Sequence, residues 1–173
     1  MRTNRRKRPP VMTAARWTLL SVMIVVVVLI ALNAYYRSVQ SPMWKQERLA
    51  EAKAIETAGL KEATLSYPFV WDESIWIVEG KDKNNEDTYV WLKKDTSLVL
   101  KAKDGLTSQE IEQRFLQSKP DASIKNTKLG MLNNAPVWEV YYSKVQSSVK
   151  TYYYDFYQFQ NGAFVVTYKL PTQ

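Results

Sequence analysis

The sequence predicts an α+β protein, in which an N-terminal transmembrane helix precedes two units that each pack one helix on an antiparallel sheet. Three observations lead to this prediction. Residues 17–36 are apolar and uncharged, residues 42–102 have the pattern of one helix and four strands, and residues 107–170 repeat that order. The predicted segments are a basic tail at 1–16, the span at 17–36, a first unit at 37–104 and a second unit at 105–173.

The apolar segment at 17–36 is long enough to cross a bilayer. Its 20 residues extend roughly 30 Å as a helix, which is the thickness of the hydrocarbon core. The preceding residues 1–16 contain six basic and no acidic side chains, and such an excess marks the cytoplasmic side of a span. We therefore expect a single-pass protein of the cell membrane, with its N-terminus in the cytoplasm and both units outside the cell.

A cleaved signal peptide is the alternative interpretation of this segment. A signal peptide has a shorter apolar core and ends in a small-x-small cleavage site. Here the run has the length of a full span, and Leu32 stands where that pattern requires a small side chain. The sequence thus favours an anchor that the mature protein keeps.

Composition limits the function of the outer region. The chain has 24 basic and 17 acidic residues, and without the tail the count is 18 basic against 17 acidic, so the basic excess reflects topology and not nucleic-acid binding. Cysteine and histidine are absent, which removes thiol nucleophiles, Ser-His triads and the usual zinc ligands. We expect no metal, no cofactor and no enzymatic activity. The sequence does not predict an oligomeric state.

The first unit begins with a predicted helix at 42–59. Ser41 is placed to cap it, Pro42 suits its first position, and Gly59 suits its end. Polar residues at 82–87 separate two β-branched and aromatic runs, which is typical of a hairpin. The four predicted strands are 63–70, 74–79, 88–92 and 97–102.

The second unit begins with a capping box, because Thr107 is followed three residues later by Glu110. Pro120 closes the helix. Asn133 and Asn134 indicate a turn, and the Asn-Gly pair at 161–162 indicates a two-residue hairpin. The four predicted strands are 123–131, 136–143, 150–159 and 163–170.

The two units match in the order of their elements. Trp76 and Trp138 each lie in the second strand of their unit. Two helix-on-sheet units with a boundary near Lys103–Gly105 satisfy this pattern. One fused sheet with two helices satisfies it as well.

The chain resembles the YpmB/TseB-like family in its span, its Ala-rich helix and three short strand motifs. These are Ile-Trp-Ile-Val at 75–78, Tyr-Val-Trp-Leu at 89–92 and Val-Trp-Glu-Val at 137–140. The resemblance implies tandem cystatin-like units related to PepSY domains, anchored in the membrane of a low-GC Gram-positive bacterium. It further implies a regulator of cell-wall elongation that acts through a class B penicillin-binding protein. Because PepSY units also resemble the inhibitory segments of protease precursors, regulation of a protease is the alternative.

Tyrosines in the strand at 150–159 supply the candidate partner-binding surface. Alternation places Tyr152 and Tyr154 on one face, and Tyr153 and Tyr157 on the other. A sheet covered by one helix has one uncovered face, so we expect one of these sets to be exposed or only partly covered. A packed junction between the two units is the alternative. The candidate surface residues are Tyr152, Tyr153, Tyr154 and Tyr157.

Two acidic patterns admit a ligand-binding or enzymatic interpretation. The acidic loop at 82–87 lacks the Gly and Glu of a calcium-binding EF-hand, because Asp87 and Lys93 occupy those positions, so we expect a solvated hairpin loop. An enzyme acting on wall glycan would need two carboxylates about 5–9 Å apart, for which Asp155 and Glu139 are candidates.

Overall fold

The computed structural model describes residues 14–146 and 149–171. The chain divides into two compact units between Lys45 and Gln46. Most of the predicted cytoplasmic tail, residues 1–13, lies outside the described residues.

The first helix, α1, extends over Ala14–Ala58. Its segment Ala15–Ser38 has 24 residues, none of them buried, and is long and apolar enough to cross a membrane. The predicted helix start at Ser41 is wrong, because Pro42 lies inside α1. Pro42 lies four residues beyond Ala15–Ser38, and α1 continues through it as one helix. The predicted end is confirmed, since Gly59 follows with a φ of 63°.

The first sheet consists of four antiparallel strands in sequence order. They are β1 (Leu60–Val70), β2 (Ser74–Asp82), β3 (Asp87–Leu92) and β4 (Ser97–Lys101). A short 3₁₀ turn at Ala102–Asp104 follows β4. This turn coincides with the predicted boundary between the two units, although the division of the chain into those units stays a prediction.

The second helix and sheet repeat the order of the first half. Helix α2 (Ser108–Ser118) carries the predicted capping box, in which Thr107 and Glu110 each accept from the other's backbone N–H. The strands of the second sheet are β5 (Ser123–Leu132), β6 (Ala135–Gln146), β7 (Val149–Gln158) and β8 (Phe164–Lys169), again antiparallel and in sequence order. The α+β fold class is confirmed, and the fused-sheet alternative is wrong because the two sheets are separate.

One face of the first sheet packs on the end of α1. Ala50 and Ala54 of the helix are buried with Val78, Val90 and Leu92 of β2 and β3. Small alanine side chains let the helix lie close to the sheet. Trp76, half-buried, adds to the edge of this cluster.

The opposite face of the first sheet shares a core with the second sheet. Trp91 donates from its indole nitrogen to the Gly130 carbonyl at 2.9 Å, and the Tyr67 hydroxyl donates to the Leu129 carbonyl at 3.3 Å. The Phe69 ring lies 2.8 Å from the position that a Cβ on Gly130 would take. The second sheet is therefore covered by α2 on one face and by the first sheet on the other.

The turns of the second sheet differ from one another. Asn133 and Asn134 both have positive φ, which confirms the predicted tight turn between β5 and β6. The predicted two-residue hairpin at Asn161-Gly162 is wrong, because only Gly162 has positive φ and the turn starts at Gln158, whose carbonyl accepts from Gly162. The longer turn places Phe159 in the core, where it is fully buried.

Candidate functional site

Strand β7 carries the predicted tyrosine surface, but neither of its faces is uncovered. Tyr152, Tyr153 and Tyr154 are half-buried, and Tyr157 is only 5% exposed. The role of these tyrosines as a partner-binding surface stays a prediction. The set with Tyr152 and Tyr154 is partly covered and not fully exposed. The reason is that the first sheet covers the face that α2 leaves free, as in the alternative of a packed junction.

On the face toward the first sheet, Trp71 holds the two sheets together. It lies in the turn after β1, and its ring centroid is 5.7 Å from Tyr154, 4.8 Å from Phe156 and 5.1 Å from Tyr168. All three contacts are edge-to-face, which is the favoured geometry for aromatic pairs. Tyr154 therefore serves the junction between the sheets at least as much as the surface.

Beside this junction, a stack of tyrosines extends toward solvent. Tyr141 of β6 stacks between Tyr152 at 5.7 Å and Tyr154 at 4.9 Å. The outer member, Tyr152, also lies under the Lys150 ammonium at 5.4 Å. A stacked, half-buried group of rings loses little side-chain entropy when a partner covers it.

On the face toward α2, Asp155 is fully buried and receives a set of hydrogen bonds. Donors are the hydroxyls of Tyr142 at 3.0 Å, Tyr157 at 3.2 Å and Thr167 at 2.7 Å, together with the Lys119 ammonium. Burial and the neighbouring carboxylate raise the pKa of the Tyr142 and Tyr157 hydroxyls, so both remain protonated donors. This network is structural, because every donor is already committed to the one carboxylate.

The carboxylate pair of the enzyme hypothesis is not brought together. Asp155 pairs with Val140 across the β6–β7 ladder, whereas Glu139 pairs with Phe156, so the two side chains leave the sheet on opposite faces. Glu139 instead pairs with Lys128 at 3.4 Å, and its burial raises its pKa. The two carboxyl groups cannot line one cleft.

The acidic loop between β2 and β3 is organised by its own first residue. The Asp82 carboxylate accepts the backbone N–H groups of Asn84 and Glu86, both at 2.8 Å, and pairs with Lys101. The Lys101 hydrogen bond is the main reason that the pKa of Asp82 is lowered. Within residues 14–146 and 149–171, no group of three potential metal-ligating side chains comes together.

Exposed apolar side chains lie elsewhere on the second sheet. Val145 and Val149 are 66% and 53% exposed at the end of the β6–β7 hairpin. Phe164 is 56% exposed on β8, an edge strand. The sequence did not indicate these positions, because an edge strand has the same alternation as a central one.

Comparisons with known proteins agree with this architecture. A family model described as "Cell wall elongation regulator TseB-like domain" matches residues 50–93, which comprise the end of α1 and the first three strands. A relative named "Probable cell wall elongation regulator TseB" from Bacillus subtilis (strain 168) is 25% identical over 143 residues, covering 81% of this chain and 89% of the relative.

A solved structure has the same fold. The "YpmB protein from Bacillus subtilis" superposes with a TM-score of 0.62 and 23% identity, over 72% of this chain and 97% of that one. The family model, the named relative and the shared fold all point to one assignment. The matched family model and the named relative support a YpmB/TseB-like family member.

Proposed function

We propose that this protein is a non-enzymatic regulator of cell-wall elongation that works at the outer surface of the cell membrane through a class B penicillin-binding protein. The observation that supports the regulatory role is the similarity to a relative named as a probable cell wall elongation regulator, over 81% of this chain. Among the described residues, the fold supplies one helix long and apolar enough to serve as an anchor, together with two antiparallel sheets.

The anchor is the segment Ala15–Ser38. It is exposed throughout and predominantly apolar, so it favours an apolar environment that water does not offer. The basic residues before it favour a cytoplasmic N-terminus, which would put the two sheets on the side where wall synthases work. Confinement to that surface raises the effective concentration of a membrane-bound partner, so that modest affinity suffices.

The arrangement of the ionisable groups supports a protein that acts by binding a partner and not by catalysis. Asp155 is saturated with hydrogen bonds, and Glu139 is paired with Lys128 on the opposite face of the sheet. Neither carboxylate is free to move a proton to or from a substrate. A regulator that acts by contact needs a shaped surface instead.

The contact surface that we propose is the outer part of the tyrosine stack. Tyr152 and Tyr154 keep part of their rings accessible, whereas Tyr153 and Tyr157 lie on the opposite face, where Tyr157 is buried beneath α2. The exposed Val145 and Val149 continue the same hairpin and extend the apolar area. Rigid aromatic rings beside exposed aliphatic side chains are typical of protein-binding surfaces.

Co-purification from detergent-solubilised membranes tests the proposal. We expect the full-length chain to retain a class B penicillin-binding protein, and Tyr152→Ala to weaken that association without lowering the melting temperature. Phe164→Ala removes a ring that is more exposed than Tyr152, on the edge strand and away from the tyrosine stack, and serves as the control. Recovery of a membrane protease in place of the synthase would favour the PepSY-type alternative, and recovery of neither would contradict the proposal.

A further inference from the structure

A cavity of about 450 Å³ lies between the two sheets, apart from the tyrosine stack. Residues of β1, β2 and β3 form one wall, and residues of α2, β5 and β6 form the other. The residues that matter for its chemistry are Leu65, Tyr67, Glu79, Tyr89 and Lys128. Leu65 is 52% exposed at the mouth, so the cavity is accessible from solvent.

Glu79 is the carboxylate that lines this cavity, and among the described residues it has no ion-pair partner. It is half-buried, and it accepts one hydrogen bond from the Tyr67 hydroxyl at 3.3 Å. No Lys or Arg in the described part of the chain forms an ion pair with it. Its pKa is raised, chiefly by burial and also by the negative charge of Asp87.

The lysine that lines the cavity does not compensate Glu79. The Lys128 ammonium pairs with Glu139 at 3.4 Å and lies 5.4 Å from the centre of the Phe69 ring. Its charge is therefore already balanced. A positively charged ligand in the cavity would therefore be attracted by the unpaired Glu79 carboxylate, and the Lys128 charge that could repel it is balanced by Glu139.

The remaining walls suit an aliphatic stem that ends in a cation. The rings of Tyr67 and Tyr89 and the side chain of Leu65 offer apolar and aromatic surface beside the carboxylate. Cations are attracted to aromatic faces, and methylene groups gain from burial against them. One oxygen of Glu79 already accepts from Tyr67, so the site favours the point charge of an ammonium over a bidentate guanidinium.

We propose that this cavity binds a primary ammonium group on an aliphatic chain, with Glu79 as its counter-ion and the two tyrosines around its methylene groups. The ammonium is supplied either by a lysine side chain of a protein or by a free diamine or diamino acid. This site is separate from the surface proposed for the wall synthase, so that either proposal can fail while the other stands.

Titration of the isotopically labelled full-length chain in micelles, followed by NMR, tests this site. The probe is Nα-acetyl-lysine amide, and Nα-acetyl-norleucine amide is the matched probe that lacks the charge. We expect shifts at Tyr67, Glu79 and Tyr89 with the lysine probe and none with the norleucine probe. Equal shifts with both probes, or none with either, would overturn the proposal.

Two variants link the binding to the carboxylate. Glu79→Gln keeps the shape of the side chain and an acceptor for Tyr67, so the fold should persist, as circular dichroism will verify. We expect it to weaken binding of the lysine probe by about tenfold or more, because a charge-assisted contact is lost. Glu62→Gln, at an exposed carboxylate of β1, should leave binding unchanged. Equal affinity in wild type and Glu79→Gln would contradict the assignment.

The source of the ammonium is distinguished by a third titration. A pentapeptide with one central lysine is compared with 1,5-diaminopentane under the same conditions. Stronger binding of the peptide identifies a protein as the source, since the flanking backbone then adds contacts at the mouth. Binding of the diamine at equal or greater affinity identifies a small molecule. Failure of both to bind would overturn the proposal.

Discussion

At the residue scale, the buried Asp155 carboxylate connects several elements of the second half of the chain. Its four donors come from α2's C-terminal cap, β6, β7 and β8, so that one carboxylate joins the helix to three strands. The sequence places Asp155 correctly in a strand. It did not predict the network, because Lys119 and Thr167 are distant in sequence and come together only when the sheet has formed.

Removing the charge partner of Asp155 should be costly. Lys119→Met leaves a fully buried carboxylate without its cation, and we expect a loss of about 3–5 kcal/mol in the free energy of unfolding. Lys144→Met breaks a comparable pair with Asp121, which is exposed, and should cost less than about 1 kcal/mol. Urea denaturation of the detergent-solubilised chain measures both. Equal effects of the two variants would show that burial does not govern this pair.

The two repeat-related tryptophans should differ in their contribution to stability. Trp138 is 4% exposed and donates to the Leu106 carbonyl at 2.9 Å, so Trp138→Ala should cost about 3–5 kcal/mol. Trp76 is only half-buried, and Trp76→Ala should cost clearly less. Thermal or urea unfolding compares the two variants. A loss below about 1 kcal/mol at Trp138 would mean that its ring is accessible.

At the scale of elements, the local sequence pattern predicted which helices and strands exist better than it predicted where they end and what packs against them. All eight strands and the capping of α2 follow from alternation and from Thr107 with Glu110. The turn at Asn161-Gly162 is longer than predicted. The Asn-Gly preference of two-residue hairpins considers only the turn residues, and it does not report that Phe159 is buried. The coverage of β7 on both faces also escaped prediction, since alternation shows which residues share a face but not what packs on it.

The β5–β6 turn allows a test of backbone strain. Asn133 has a φ of 49°, where a side chain with a Cβ is disfavoured and where Asn is tolerated. We expect Asn133→Ala to lose about 1 kcal/mol and Asn133→Gly to lose much less. Both variants keep the backbone N–H that donates to Asp72 at 2.8 Å, so the difference isolates φ. Identical urea midpoints for the two variants would contradict this account.

At the scale of the whole molecule, the two sheets depend on each other. The main core contains Phe69 and Trp91 from the first sheet together with Leu129 and Phe156 from the second. The sequence repeat indicated two units, and it carried no signal that their faces would meet. Contacts between repeats involve residues far apart in the chain, and periodicity within each repeat does not report them.

A shared core predicts shared folding. The fragment 105–173 would expose the apolar face that the first sheet covers, including Val137 and Phe156. We expect it to bind a hydrophobic dye and to lack a cooperative melting transition, whereas the full-length chain melts in one step outside its span. A cooperative melt of the fragment alone would show that the predicted units are independent.

The topology of the anchor predicts which part of the protein an external protease can reach. Addition of protease to intact protoplasts should degrade the region after Arg37 and spare residues 1–16, because the proposed topology keeps the basic tail in the cytoplasm. An epitope on each end reports the outcome by immunoblot. A mature form that begins near Tyr35, or a protected C-terminus, would contradict a retained anchor.

The close packing at Gly130 limits which substitutions the two repeats can accept independently during evolution. The Phe69 ring occupies the volume beside its Cα, so no larger residue fits there unless position 69 becomes smaller at the same time. The Gly130 carbonyl also accepts from Trp91, which ties a third position to the pair. The two repeats can therefore no longer diverge independently. A chimera that takes one repeat from a distant homologue should fail unless positions 69, 91 and 130 are inherited together.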